Sequence, residues 1–239
     1  MLVRLGNADY DVFAEEYQFW KETLLSYGDQ TESKEILRCL PKSAEYVLDA
    51  GCGFGLYSLI LAKQAGYVVG LDISESMIKM AKRRRDEHQQ KNLDFVVGDL
   101  ENLLFKKEVF DFVISNFALS VTNLEAVILE LSRLLKPGGR MVVNHILTRH
   151  PRLDGIPIWK FLMTIKKAPE YALSFGFKTM WRLLSFEAGP AWISHKSDSV
   201  RSGKVKTAQS YINTYKRILP GCKFEKHLWK MAVIWDAPK

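Results

Sequence analysis

Cysteine is scarce in this chain of 239 residues: only Cys39, Cys52 and Cys222, odd in number and far apart. There is no CxxC pair and no zinc-type spacing. A disulfide framework is therefore excluded as the organising principle, no metal site is expected, and a reduced, cytoplasmic chain is the simplest reading. Long apolar runs are also missing. The longest, such as Leu59–Ala62 and Phe112–Ile114, fall far short of the roughly 18 to 20 residues that cross a bilayer. Met1–Tyr10 holds no apolar segment of the signal-peptide kind, so secretion is disfavoured. Internal repeats and low-complexity stretches are absent as well. What is present is ordinary for a globular chain: 47% hydrophobic, 26% charged and 12% aromatic residues. At this length one large domain with an appended subdomain is expected.

The formal charge of +7 is unevenly placed. Residues 1–145 hold 17 Lys and Arg against 21 Asp and Glu, whereas residues 146–239 hold 17 against 6. A basic second half can attract an anionic substrate, nucleic acid or a lipid surface, or it can simply be solvated.

Apolar residues recur at helical steps from Tyr10 through Tyr17 to Leu24, and a second short helix is expected between Asp29 and Pro41. A strand–helix rhythm then begins. Strands are predicted at 46–48, 67–71, 94–97, 110–114 and 140–146. Helices are predicted at 56–63, from Ser74 to about His88, and from a capping box at Thr122–Glu125 up to Pro137. Such alternation implies a parallel sheet with helices on both faces. The rhythm fails over 148–206, a stretch rich in Trp, Phe and basic residues. A structureless loop of that length is improbable, so a helical insertion is expected. Order returns with a helix at 207–219 and two strands at 223–228 and 231–235.

Three features carry chemistry. Val47-Leu-Asp-Ala-Gly-Cys-Gly-Phe-Gly55 sets Gly51, Gly53 and Gly55 where a strand turns tightly into a helix. Glycines there allow unusual φ angles and let a ligand approach the backbone. A dinucleotide fingerprint would place its third glycine one residue later, so another nucleoside-like ligand is favoured over a dinucleotide. Asp72 ends the second strand and Asp99 follows the third. An acid at the second tip can accept hydrogen bonds from ribose hydroxyls, and all these tips lie where open α/β sheets bind ligands.

On these motifs the chain resembles the class I S-adenosylmethionine-dependent methyltransferases over about 46–147 and 207–239. The resemblance implies a Rossmann-like seven-stranded sheet, six strands parallel and the last antiparallel beside the fifth. It divides the chain into N-terminal helices covering the cofactor (1–45), the methyltransferase domain (46–147 and 207–239) and an insertion, an acceptor lid (148–206). It implies S-adenosyl-L-methionine as cofactor. Gly51, Cys52 and Gly53 would receive the methionine part, with Asp49 supporting its amino group. Asp72 would hold the ribose, Ile73 and Met77 would pack on the adenine, and Asp99 would read the adenine amino group, with Leu100 following it. Asn116 would lie near the methionine. Tyr17, in Ala14-Glu-Glu-Tyr17, would reach the cofactor carboxylate, although Gln18 stands where relatives usually carry Asp. The tail from Leu219 to Trp235 is similar to the ending of many bacterial small-molecule methyltransferases.

Ser115-Asn-Phe-Ala118 lacks the Asn/Asp-Pro-Pro-Tyr of enzymes that methylate base or glutamine amides, and the paired carboxylates of metal-dependent catechol-type enzymes are missing. The expected reaction is metal-free methyl transfer to an O, N or C nucleophile of a small, acidic or aromatic molecule, of natural-product or quinone-like type. His145, near the end of the fifth strand, is the candidate general base, because an imidazole titrates near neutral pH. A one-residue change of register would bring Asn144 in and turn His145 away. His150 and His195 are the next choices. Three alternatives stay open: an RNA or DNA methyltransferase, a non-methylating cyclase or regulatory protein on the same fold, and peripheral membrane contact through the insertion.

Overall fold

The computed structural model describes residues 14–26, 31–119, 122–147, 173, 179–180, 207–226 and 230–239. Its elements run α1 (Ala14–Ser26), α2 (Thr31–Cys39), β1 (Tyr46–Ala50), α3 (Leu56–Ala62), β2 (Tyr67–Asp72), α4 (Glu75–Glu87), β3 (Leu93–Val97), β4 (Phe110–Asn116), α5 (Leu124–Leu134), β5 (Leu135–Ile146), α6 (Ala208–Ile218), β6 (Lys223–Lys226) and β7 (Lys230–Asp236). The seven strands form one sheet in the order β3-β2-β1-β4-β5-β7-β6. β3, β2, β1, β4 and β5 pair in parallel, and β7 is antiparallel to both β5 and β6. Six strands therefore share one direction and β7 opposes them, as expected from the resemblance.

Side chains alternate across each strand, so the sheet buries two faces. Val47, Phe112, Ile114 and Val142 face a core shared with α2, α3 and α4, including Ile36, Leu59, Leu61, Ile78 and Ala81. Leu48, Val113, Met141, Val143 and Val233 face the opposite core, made by α5, α6 and the chain after β3. α5 places Leu124, Val127, Ile128, Leu131 and Leu134 inward, the helical spacing read from the sequence.

Details at element ends differ from expectation. Ser74 caps α4, its Oγ accepting the Met77 amide at 3.1 Å. At α5, however, the cap is Asn123, whose side chain accepts from the Ala126 amide, while the Thr122 hydroxyl donates to the Leu119 carbonyl at 3.0 Å. Both residue types can cap, and the backbone bond of Val127 to Asn123 fixes which one does. β5 begins earlier than Arg140. Leu135 is already extended and pairs with Phe110, with a register shift before Phe112 pairs with Arg140. Lys136 anchors this early segment by pairing with Asp111 at 2.9 Å. The expected insertion at 148–206 lies outside the described residues, apart from Leu173, Thr179 and Met180, which are helical. Among the described residues no helix is long and apolar enough to cross a membrane.

Candidate active site

The glycine turn after β1 is built by two neighbours. The amides of Gly51 and Cys52 both donate to the Leu71 carbonyl of β2, at 2.7 and 3.0 Å. Gly51 has φ +80°, and a Cβ there would lie 2.2 Å from the Cβ of Ala118. Gly53 also has a positive φ, +54°, but a Cβ on it would meet nothing within 4 Å. The two glycines therefore serve different ends: Gly51 lets the chain beyond β4 approach, and Gly53 presents bare backbone to open space.

Asp72, at the tip of β2, is held by backbone donors on both carboxylate oxygens. Oδ2 accepts the Gly53 amide at 2.8 Å and Oδ1 the Ser74 amide at 3.0 Å. Ile73 beside it is half-buried and Met77 is buried. Asp99, half-buried after β3, accepts the Glu101 amide at 2.8 Å. Leu100 turns inward to the core under α5. The β1, β2, β3 and β4 tips thus line up Gly53, Asp72, Asp99 and Asn116, as the sequence motifs imply.

Asp49 is buried at the end of β1 and accepts a 2.5 Å hydrogen bond from the Ser58 hydroxyl of α3. Burial is the main cause that pushes its carboxyl up to about 7, against the lowering bond from Ser58, and the charge of Asp72 adds to the rise. Burial likewise pushes the Cys52 thiol well up, so it is a packing residue and no nucleophile. Sequence reasoning passed over Ser58. Its signal is a lone hydroxyl in the apolar helix Leu56-Tyr-Ser-Leu-Ile-Leu-Ala62.

Past β4 the chain bends at Phe117, a non-glycine residue at φ 65° whose amide donates to the Asn144 carbonyl at 3.0 Å. Such a conformation is costly for a bulky residue and is kept only where its surroundings dictate it. Here it swings Ala118 against Gly51. Asn144 of β5 donates its side-chain amide to Asn116 Oδ1 at 2.8 Å, joining the two tips.

His145 projects from the opposite face of β5. Its ring stacks on Tyr211 of α6, with centroids 3.9 Å apart, and its Nε2 lies 2.8 Å from the Tyr215 hydroxyl. It is fully buried. Asn144, not His145, is the β5 residue joined to the row of tips. His150 and His195 lie outside the described residues. Tyr17 of α1 meets Phe54 of the glycine turn edge-on, with centroids 6.0 Å apart. Among the described residues, no group of His, Cys, Asp or Glu is arranged to hold a metal ion.

Comparison with known proteins agrees with this geometry. A family model described as a methyltransferase domain matches residues 41–180. A demethylmenaquinone methyltransferase of Lactococcus lactis is 34% identical over 164 residues, 64% of this chain and 58% of that protein. A ubiquinone biosynthesis O-methyltransferase of Coxiella burnetii is 36% identical over 114 residues, 47% of this chain and 48% of that protein. The chain therefore spans about half the length of these curated relatives. The crystal structure of a putative S-adenosyl-L-methionine-dependent methyltransferase from Methanococcus maripaludis shares the fold with a TM-score of 0.63, at 16% identity over 98% of this chain and 92% of that one.

Two outcomes are expected. Gly51→Ala forces a Cβ against Ala118 and should lower the thermal midpoint well below that of Gly53→Ala, where only the backbone strain of roughly 1–2 kcal/mol applies. Equal midpoints would contradict the division of roles. Asp49, raised in the folded chain to about 7, stays protonated where the unfolded chain ionises. Between about pH 4 and 7, stability should therefore fall with rising pH by about 1.4 kcal/mol per unit from this group. Urea titrations of Asp49→Asn should lack that component.

Proposed function

The chain belongs to the methyltransferase domain family, the class I S-adenosylmethionine-dependent methyltransferases, and from that premise we propose that it methylates an O, N or C nucleophile of a small, quinol-like molecule. The observation that carries the reading is the row of strand tips, where the open backbone of Gly53 stands beside a preoriented Asp72 carboxylate. In this reading Gly51, Cys52 and Gly53 receive the methionine part of S-adenosylmethionine, and Asp72 accepts from the ribose hydroxyls. Ile73 and Met77 pack on the adenine, and Asp99 with Leu100 bounds its other edge. Asn116 borders the methionine, and Tyr17 reaches its carboxylate from α1. Asp49 faces the amino group, and a cation is what a buried carboxyl with a raised pKa would best accommodate.

When bound, S-adenosylmethionine supplies a sulfonium methyl: its S–CH3 bond breaks, a bond to the acceptor forms, and S-adenosylhomocysteine and the acceptor's proton are left. The chain's own contribution is alignment, which can be worth roughly 7–11 kcal/mol when ideal. The acceptor class is supported by relatives whose names specify quinone precursors. A quinol hydroxyl is acidic and its ring aromatic, in keeping with the basic, aromatic segment 148–206, which we assign as the acceptor lid. The three cysteines are free, which suits a reducing, cytoplasmic setting.

His145, the base expected from the sequence, lies buried beneath α6 on the face of β5 opposite the tips, so in this reading it acts on the acceptor only through its partners. Its Nε2 is engaged with Tyr215, so a proton taken by that nitrogen would have to pass through the phenol. Burial holds the Tyr215 hydroxyl well above its ordinary pKa, so it stays a neutral phenol.

Calorimetry with S-adenosylhomocysteine tests the cofactor site. Asp72→Ala should weaken binding by about 1–3 kcal/mol. Below pH 7 binding should release a proton, as the ligand's ammonium lowers the raised pKa of Asp49, and Asp49→Asn should abolish that release. It is read from the dependence of the binding heat on buffer ionisation. Full affinity in Asp72→Ala would sink the assignment. For the base, His145→Ala should cut turnover of a quinol acceptor roughly 100-fold while homocysteine-product binding persists. Turnover within a few-fold of wild type would leave His145 a packing residue and the reaction without a protein base.

A further inference from the structure

Helix α1 faces α3 and α4 across an open groove of about 540 Å3, with Gln18 and Glu22 on one side and Leu56, Met80, Arg83 and Arg84 on the other. Side chains along the helix hold it to the domain beside this groove. Ala14 is buried. Lys21 lies over the Tyr57 ring, 5.7 Å from its centroid. Two further contacts among the described residues involve Phe54, the one large side chain of the sequence Gly51-Cys-Gly-Phe-Gly55.

Phe54 is gripped from two directions. Tyr17 of α1 meets it at 73° with centroids 6.0 Å apart. The guanidinium of Arg84, from the last turn of α4, lies 5.4 Å from the centre of the Phe54 ring. The same guanidinium pairs with Glu22 of α1, and Glu22 also accepts from Gln18 Nε2 at 2.9 Å. The Arg84 side chain is only 18% exposed, and its buried Nε has no hydrogen-bond partner among the described residues. Its engagements are the ring and Glu22. A planar cation can cover an aromatic face and hold a carboxylate at once, which neither a leucine nor a second aromatic residue can do. The loop is closed: glycine turn, Phe54, Arg84, Glu22, α1, Tyr17 and back to Phe54.

We propose that Arg84 is a positioning residue that clasps α1 to the glycine turn and thereby sets how long the methyl donor stays bound. The inference rests on the cofactor reading of that turn. The backbone of the turn is held by the Leu71 carbonyl and Asp72, and Phe54, buried in the core, is the side chain through which α1 and Arg84 touch that turn. Releasing Arg84 loosens the hold of α1 on the turn, so the donor loses its cover while the turn's backbone bonds remain.

The test is displacement of S-adenosylhomocysteine, followed by stopped flow, from wild type, Arg84→Met, Arg84→Lys and Glu22→Gln. Amide hydrogen exchange of residues 14–26 is measured on the same proteins without ligand. Arg84→Met should speed dissociation about tenfold, the size of a lost cation–π contact and partly buried ion pair together. The KM for S-adenosylmethionine should rise more than kcat falls. Arg84→Lys should return the rate toward wild type, and Glu22→Gln should move it the same way as Arg84→Met by less. Exchange in 14–26 should accelerate in Arg84→Met while β1 and β4 keep their protection. Dissociation within twofold of wild type in both Arg84→Met and Glu22→Gln would overturn the proposal, as would faster exchange throughout the sheet. If Arg84→Met does not fold, Glu22→Gln alone decides. A wild-type chain that binds no S-adenosylhomocysteine refutes the cofactor reading and the residence claim with it, whereas exchange in 14–26 still reports separately on whether the clasp exists.

Discussion

The close approach of Gly51 to Ala118 is the constraint on which the strand tips depend. A methyl group at Gly51 would stand 2.2 Å from the Ala118 methyl, so the two segments fit only because one has no side chain and the other a minimal one. Their contact is reached by bending the chain at Phe117 into a left-handed conformation. That bend aims the Phe117 amide at the Asn144 carbonyl, and the Asn144 side chain in turn holds Asn116. On the other side, Gly51 and Cys52 share the Leu71 carbonyl, one residue before Asp72. The tips of β2, β1, β4 and β5 are thus locked in sequence through backbone groups. Four separate loops become one surface, with strain at Phe117 stored where its neighbours determine it.

Much of this surface was legible in the sequence, because its parts are local. A glycine-rich strand-to-helix turn and acids at strand ends are written in consecutive residues, and Asp72 stands against the turn, its carboxylate accepting the Gly53 amide, while Asp99 follows the neighbouring strand β3. Helical and strand periods located the elements of the domain to within a few residues. What stayed hidden depends on contacts between distant segments. Nothing in Gly-Cys-Gly-Phe-Gly says which glycine packs inward and which faces outward, since that is decided by Ala118, more than sixty residues on. The antiparallel place of β7 came from family resemblance, because two short strands after a helix can join a sheet at several edges. At Thr122-Asn123 two capping residues stand side by side, and the backbone decides between them by a single residue.

The same limit governs His145 and Asn144. Alternation puts adjacent strand residues on opposite faces, and the sequence carries no mark of which face is which near the end of β5. Pairing of β5 with β4 in register Asn116 to Asn144 settles it. Asn144 joins the tips, and His145 enters the core beneath α6 against two tyrosines. The buried imidazole is then a polar group within the core, and the Tyr215 hydroxyl partners its Nε2. Any proton traffic at His145 is tied to that phenol, which makes α6 part of the question and not only the strand.

The strand tips and the helix α1 beside them are held in different ways. Asp72 is oriented by two backbone amides, so a ligand meets a carboxylate whose rotamer is already chosen and loses little entropy in using it. Asp49 lies deeper, held by Ser58, and burial is the main cause that pushes its carboxyl up to about 7. The strand tips are therefore shaped in advance, with one carboxylate oriented by backbone amides and a second one buried beneath it. The helix is held differently: among its described contacts with the domain are the buried Ala14, Tyr17 on Phe54, Lys21 over Tyr57 and Glu22 with Arg84, beside an open groove. A ligand that is replaced after each turnover needs strand tips precise enough to align it and a neighbouring helix that can release what it becomes.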